Sequence, residues 1–272
     1  MSEHYPPTTQ HTPFEAINSQ PETLSPEAAA QAAVTQHKRL VSQLPNEVEP
    51  YFVNPNIVLT LAGERGQTED FFESPSSETY QALQNASQDQ ELLESGIRIT
   101  PDPDFNPEAG DNLILNIESL DGYVEVSERT NIPGIEPFDP AEGWDGVDRW
   151  INSNWANIEQ LQQSGEFNPS IEAGHVVLGV MKGYPDSAIL GHLKHLDDET
   201  PTELSQIPYS DYYDCPQTNF SYPVELADEP DIINRQQRWG QVLERFYTSD
   251  YHQRLATDPD FTRHRSVIDN SL

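Results

Sequence analysis

The sequence predicts an α+β fold that is mostly helical, a helix bundle with a small β-hairpin or short antiparallel sheet. Apolar residues recur at three- and four-residue spacing through several long segments, three short strand candidates lie within residues 97–126, and Pro and Gly punctuate the chain between them. The first stretch, 1–24, is polar and proline-rich with little to bury, and reads as a disordered tail.

Ser25-Pro26-Glu27 supplies an N-cap, a proline at the first helical position and an acid in the first turn. Ala30, Val34, His37, Val41 and Leu44 then mark one face of a helix that Pro45 ends. Residues 51–61 read as extended, because Pro50 and Pro55 interrupt a helix and Ile57-Val58-Leu59 is a short apolar run. Ser76 or Ser77 starts the next helix, which carries Tyr80, Leu83, Leu92 and Leu93 and stops at Gly96. Three strands are expected at 97–99, 113–117 and 122–126. The last two form a hairpin around Asp121-Gly122, a dipeptide suited to a tight turn.

After a proline-rich connection at 132–140, helices dominate. The segment 141–163 carries Trp144, Val147, Ile151, Trp155, Ile158 and Leu161 on one predicted face, with Glu142, Asp145 and Asp148 on the wet side. Helices are also expected over 171–181, 186–196, 231–247 and, more briefly, 251–256. The chain therefore divides on paper into a tail (1–24), an α+β region with the hairpin (25–140), a helical region (141–258) and a C-terminal tail (259–272).

Charge is the strongest compositional signal: 46 Asp and Glu face 14 Lys and Arg, for a formal net charge of −32 at pH 7. Only Lys38, Lys182 and Lys194 are lysines, so the imbalance comes from loss of basic residues as well as gain of acids. Such a surface repels itself in dilute buffer, whereas in molar salt the Debye length of about 3 Å screens the repulsion. The acids are spread along the chain, which fits solvent adaptation rather than an acidic tail or a nucleic-acid decoy. A salt-rich cytoplasm is the expected setting. No basic stripe exists to displace counterions from a nucleic acid, no apolar run is long enough to span a membrane, and the polar start of the chain does not resemble a secretion signal. The single Cys215 excludes an internal disulfide, and its neighbour Asp214 disfavours a reactive thiolate.

Candidate chemistry is sparse. Asp102-Pro103-Asp104-Phe105-Asn106 starts like a calcium loop, but Pro107 stands where the turn needs glycine and Leu113 where the closing glutamate belongs, so it reads as a solvated acidic turn. His192 and His195 lie one turn apart on a predicted helix, and His175 lies on the helix before. Together with nearby carboxylates these three could ligate a metal, although His175 reads first as a core or interhelix residue. No nucleophile elbow, phosphate loop or dinucleotide turn occurs, and no cofactor is called for. Tyr209, Tyr212 and Tyr213, with Phe220 and Tyr222, form an aromatic stretch able to line a partner surface or to pack on helices.

In Leu178-Gly179-Val180-Met181-Lys182-Gly183-Tyr184-Pro185-Asp186-Ser187-Ala188, one helix ends at Gly183, Pro185 opens the next and Asp186 complements its dipole. This corner resembles a group of uncharacterised halophilic-archaeal proteins with a Leu-Gly-x-x-x-Gly-Tyr-Pro-x-x-Ala/Cys pattern. The resemblance covers the C-terminal part of the chain and implies source and local fold, with no activity attached. The sequence thus supports a salt-adapted, non-catalytic binding or interaction protein with an unidentified protein or small-molecule partner. Its expected functional surface lies at His175, Tyr184, Tyr209, Tyr212 and Tyr213. The alternative is a metal-dependent hydrolase built on His175, His192 and His195.

Overall fold

The computed structural model describes residues 24–44, 52–72, 75–169, 172–194, 202–204 and 220–257. Both expected tails, Tyr209, Tyr212, Tyr213, Cys215, His195 and the His192 side chain lie outside the described residues.

The N-terminal helix α1 (Pro26–Ser42) begins as its cap dictates, with the Ala28 amide donating to Ser25 Oγ at 3.2 Å. The next segment corrects the expectation of extended chain: Pro55–Leu61 is the helix α2, buried along its whole length. Asn54 caps it by accepting from the Asn56 amide at 2.8 Å, and Pro55 occupies the first turn, where its missing N–H costs nothing. Strand β1 (Gln67–Phe72) follows, then α3 (Ser77–Ala86) and α4 (Gln90–Glu94). The sequence joined these two helices into one; Asp89 instead caps a new helix through the Leu92 amide at 2.8 Å.

Strands β2 (Ile97–Pro101) and β3 (Leu113–Ser119) occur as expected, but the hairpin does not. Residues Leu120–Arg129 form the helix α5, with Ser119 Oγ accepting from the Gly122 amide at 3.2 Å. Tyr123, Val126 and Ser127 recur at helical spacing and are buried. Gly122 serves close packing rather than a turn, since a Cβ there would collide with the Arg65 carbonyl. The sheet is antiparallel in the order β1-β3-β2, so β3 is central.

A short 3-10 turn leads into α6 (Gly143–Ser164), followed by α7 (Ala173–Met181) and α8 (Asp186–Lys194). The apolar face of α6 differs from expectation at one ring: Trp150 is buried, whereas Trp155 is exposed, with its Nε1 donating to Glu159 Oε1 at 2.8 Å. Two short antiparallel strands, β4 (Thr202–Leu204) and β5 (Ser221–Pro223), precede α9 (Pro230–Tyr247) and α10 (Asp250–Thr257). The result is an α+β fold dominated by helix. No described helix is long and apolar enough to cross a membrane.

Two apolar clusters hold these elements. The first joins α1, α2, α3, the sheet and α9 through residues such as Leu40, Ile57, Phe72, Leu115, Trp239 and Phe246. The second joins α5, α6 and α7 through Tyr123, Val126, Val147, Ile158, Val176 and Val180. Tyr184 packs against both. Alternation along the strands sends Phe72, Leu115, Ile117 and Ile99 to an inner face in the first cluster and Phe71, Ile114, Glu118 and Arg98 to an outer face.

Candidate functional site

The outer face of the sheet has two unlike ends. At one end the register aligns Gln67, Glu118 and Arg98, and Arg98 grips Glu118 through Nε at 2.6 Å and Nη2 at 2.8 Å. The Tyr123 hydroxyl donates to Glu118 Oε1 at 2.9 Å, and the Trp144 ring lies 4.7 Å from the Arg98 guanidinium. Tyr123 comes from α5 and Trp144 from α6, so the second cluster roofs this end. Burial, reinforced by Glu118, pushes the Tyr123 phenol well above its ordinary range and keeps it a donor.

At the other end no described element covers the sheet. Phe71 is 49% exposed and faces Ile114, its register partner on β3, which is 38% exposed. Both belong to strands whose adjacent residues are fully committed to the core: Phe72 packs at 5.7 Å from the Phe52 ring, and Leu113 and Leu115 are buried. One same-face row inward, Glu69 aligns with Asn116 and Thr100. Glu69 is exposed and makes no ion pair among the described residues, while Asn116 Oδ1 is buried without a hydrogen-bond partner. Beside Ile114 runs the turn that the sequence read as acidic and solvated: the Asp102 amide donates to the Ile114 carbonyl at 2.9 Å, and Asp104, Glu108 and Asp111 are exposed. Asp102 Oδ1 accepts from the Asp104 amide, an Asx turn that accounts for the local geometry. Asp70, on the inner side of edge strand β1, accepts from the Phe71 amide at 2.9 Å; burial nevertheless pushes its carboxyl up to about 7.

A second polar cluster lies inside the molecule, beneath the Gly183-Tyr184-Pro185 corner. Glu64 receives Arg235 at 3.0 Å on Oε2 and Arg238 at 2.6 and 2.8 Å on Oε1. Arg235 also reaches Glu125 at 3.1 Å, and Arg129 donates to the Gly183 carbonyl at 3.1 Å. Arg65 donates to Asn56 Oδ1 and its guanidinium lies 4.4 Å from the Trp239 ring. Desolvation, with help from neighbouring Arg235, lowers the Arg129 guanidinium to about 10. Scarce arginines are thus placed where charge is matched by carboxylate, carbonyl and ring, which makes this cluster a joint between elements rather than a receptor.

The residues singled out in the sequence fall differently. Tyr184 is half-buried, with its ring centre 5.8 Å from Phe220 and 6.4 Å from Trp239, so it belongs to that joint. His175 is not a core residue: its side chain is more than half exposed and its Nδ1 lies 3.2 Å from Glu172. Among the described residues no group of three or more His, Cys, Asp or Glu side chains is placed to hold a metal ion. The sequence reading missed Phe71 and Ile114, although two local signals mark them. An aromatic doublet in a strand must send one ring to each face, and Leu113-Ile114-Leu115 must do the same with its middle residue. No family model, curated protein or solved structure matches the chain.

Proposed function

We propose that the chain is a salt-adapted interaction protein of a salt-rich cytoplasm, and that it docks a partner on the open end of its sheet. The observation that carries this reading is the register pair Phe71–Ile114, exposed apolar surface on two strands whose positions are fixed by the core behind them. Molar salt screens attraction between charges but leaves apolar burial intact, so an apolar anchor suits recognition in the environment the charge implies.

The test is site-specific photo-crosslinking in cells of high internal salt, with the reactive side chain at position 71 and, as control, at exposed Gln253 on α10. A discrete adduct at 71 and none at 253 is expected. No adduct, or the same adducts at both positions, contradicts the reading. Elemental analysis of the same protein supplies an independent check: one transition-metal ion per chain would replace the docking reading with a metal-dependent hydrolase built on His175, His192 and His195.

A further inference from the structure

Resting on that docking reading, we infer that the partner presents an extended protein segment with an apolar and a basic side chain two residues apart. The spacing comes from the sheet itself. Phe71–Ile114 and Glu69–Asn116 are successive same-face rows, separated by two strand residues, about 7 Å. An extended partner repeats its side chains at that same interval, so an apolar residue over the first row places its second neighbour over the other.

The chemistry of the second row selects a cation. Glu69 is exposed and without an ion pair among the described residues. An ammonium or guanidinium brings donors to this carboxylate, whereas a carboxylate or a carbonyl brings none. Lys182 feels Glu69, but its half-buried ammonium is pushed down by desolvation and makes no ion pair with that carboxylate among the described residues. Asp104, Glu108 and Asp111 are exposed on the turn whose Asp102 amide bonds the Ile114 carbonyl, so this neighbouring turn supplies no competing cation. A second copy of this chain would bring the Glu69 of its own β1 against this one, so self-pairing is opposed by like charge.

The experiment titrates labelled synthetic peptides against the full chain in molar KCl and follows fluorescence anisotropy. One peptide alternates Leu and Lys at two-residue spacing, a second replaces Lys by Glu, and a third replaces Leu by Gly. The first is expected to bind at least tenfold more tightly than either of the others. On the protein side, Phe71→Ser should weaken the first peptide at least tenfold and Glu69→Gln severalfold, with helical circular dichroism unchanged. Equal affinity for the Glu peptide overturns the cation assignment, and an affinity insensitive to Phe71→Ser overturns the placement of the apolar side chain on the open end. Sedimentation showing dimers that Phe71→Ser dissolves would assign the patch to a second copy. A cross-linked partner at position 71 with no binding by the Leu-Lys peptide defeats this inference while leaving the docking reading intact; absence of both defeats the two together.

Discussion

At one end of the sheet's outer face a carboxylate, a guanidinium, a phenol and an indole close the surface; at the other, Phe71 and Ile114 stand open to solvent. Both ends belong to the same strands, with the same alternation and the same core behind them. The difference is what reaches over them. Helix α5 starts directly from the end of β3 and brings Tyr123 back onto Glu118, and α6 adds Trp144, whereas at the far end, beside the acidic turn, no described element supplies such a roof. A polar group under a roof must be paired, and here it is; an apolar group without a roof needs a reason, and docking supplies one.

The largest expected effect acts on both ends at once. Dialysis to low ionic strength should unfold the chain, because −32 formal charges then repel without screening; circular dichroism that is unchanged at about 50 mM salt would contradict salt adaptation. Next in size is damage confined to the roofed end. Glu118→Ala leaves the Arg98 guanidinium and the Tyr123 hydroxyl without their partner, and a loss of about 3 kcal/mol is expected in chemical denaturation at high salt.

A smaller effect lies under the open end. The Asp70 carboxyl keeps its proton up to about pH 7 when folded but releases it near 3.8 when unfolded, so the folded chain binds the extra proton between those values. Its contribution to stability therefore falls as pH rises through that window. Asp70→Asn should stabilise the chain by about 1 kcal/mol at pH 8, with the gain vanishing below about pH 4. A gain that persists at pH 4 would show that titration is not its source. The smallest effect is the most informative: Phe71→Ser should cost no more than about 1 kcal/mol, the cross-strand contact of a half-exposed ring with Ile114. A loss comparable to that of Glu118→Ala would make the open end structural.

Much of the helical framework was legible from caps and periodicity. Ser25 and Pro26 start α1, Gly183 ends the turn after α7 with φ at +72°, and Ile232, Trp239, Val242 and Phe246 mark the buried side of α9. The failures share a cause, which is that proline and glycine signals admit more than one reading. Pro55 suits a helix breaker, yet with Asn54 before it, it starts a helix, and Gly122 suits a turn, yet its role is to let α5 approach the Arg65 carbonyl. Strand β1 carries Gln, Thr, Glu and Asp before its two phenylalanines, and polar residues on an edge strand leave little periodic signal. The buried arginine joint was hidden because Glu125 and Arg129 pair at i,i+4 within α5, like many surface pairs, and only the tertiary fold brings Glu64 and Arg235 to them. Local alternation marks Phe71 and Ile114 one by one, but their pairing was out of reach, since register places β1 beside β3.

The division between the two ends is tested most directly by hydrogen exchange of β1 and β3 in molar KCl, with and without the Leu-Lys peptide. Amides at Phe71 and Ile114 should gain protection on peptide binding, while those at Arg98 and Glu118, already slow, should not change. Equal gains at both ends, or none at Phe71 and Ile114 in a saturated complex, would contradict the assignment of docking to the open end.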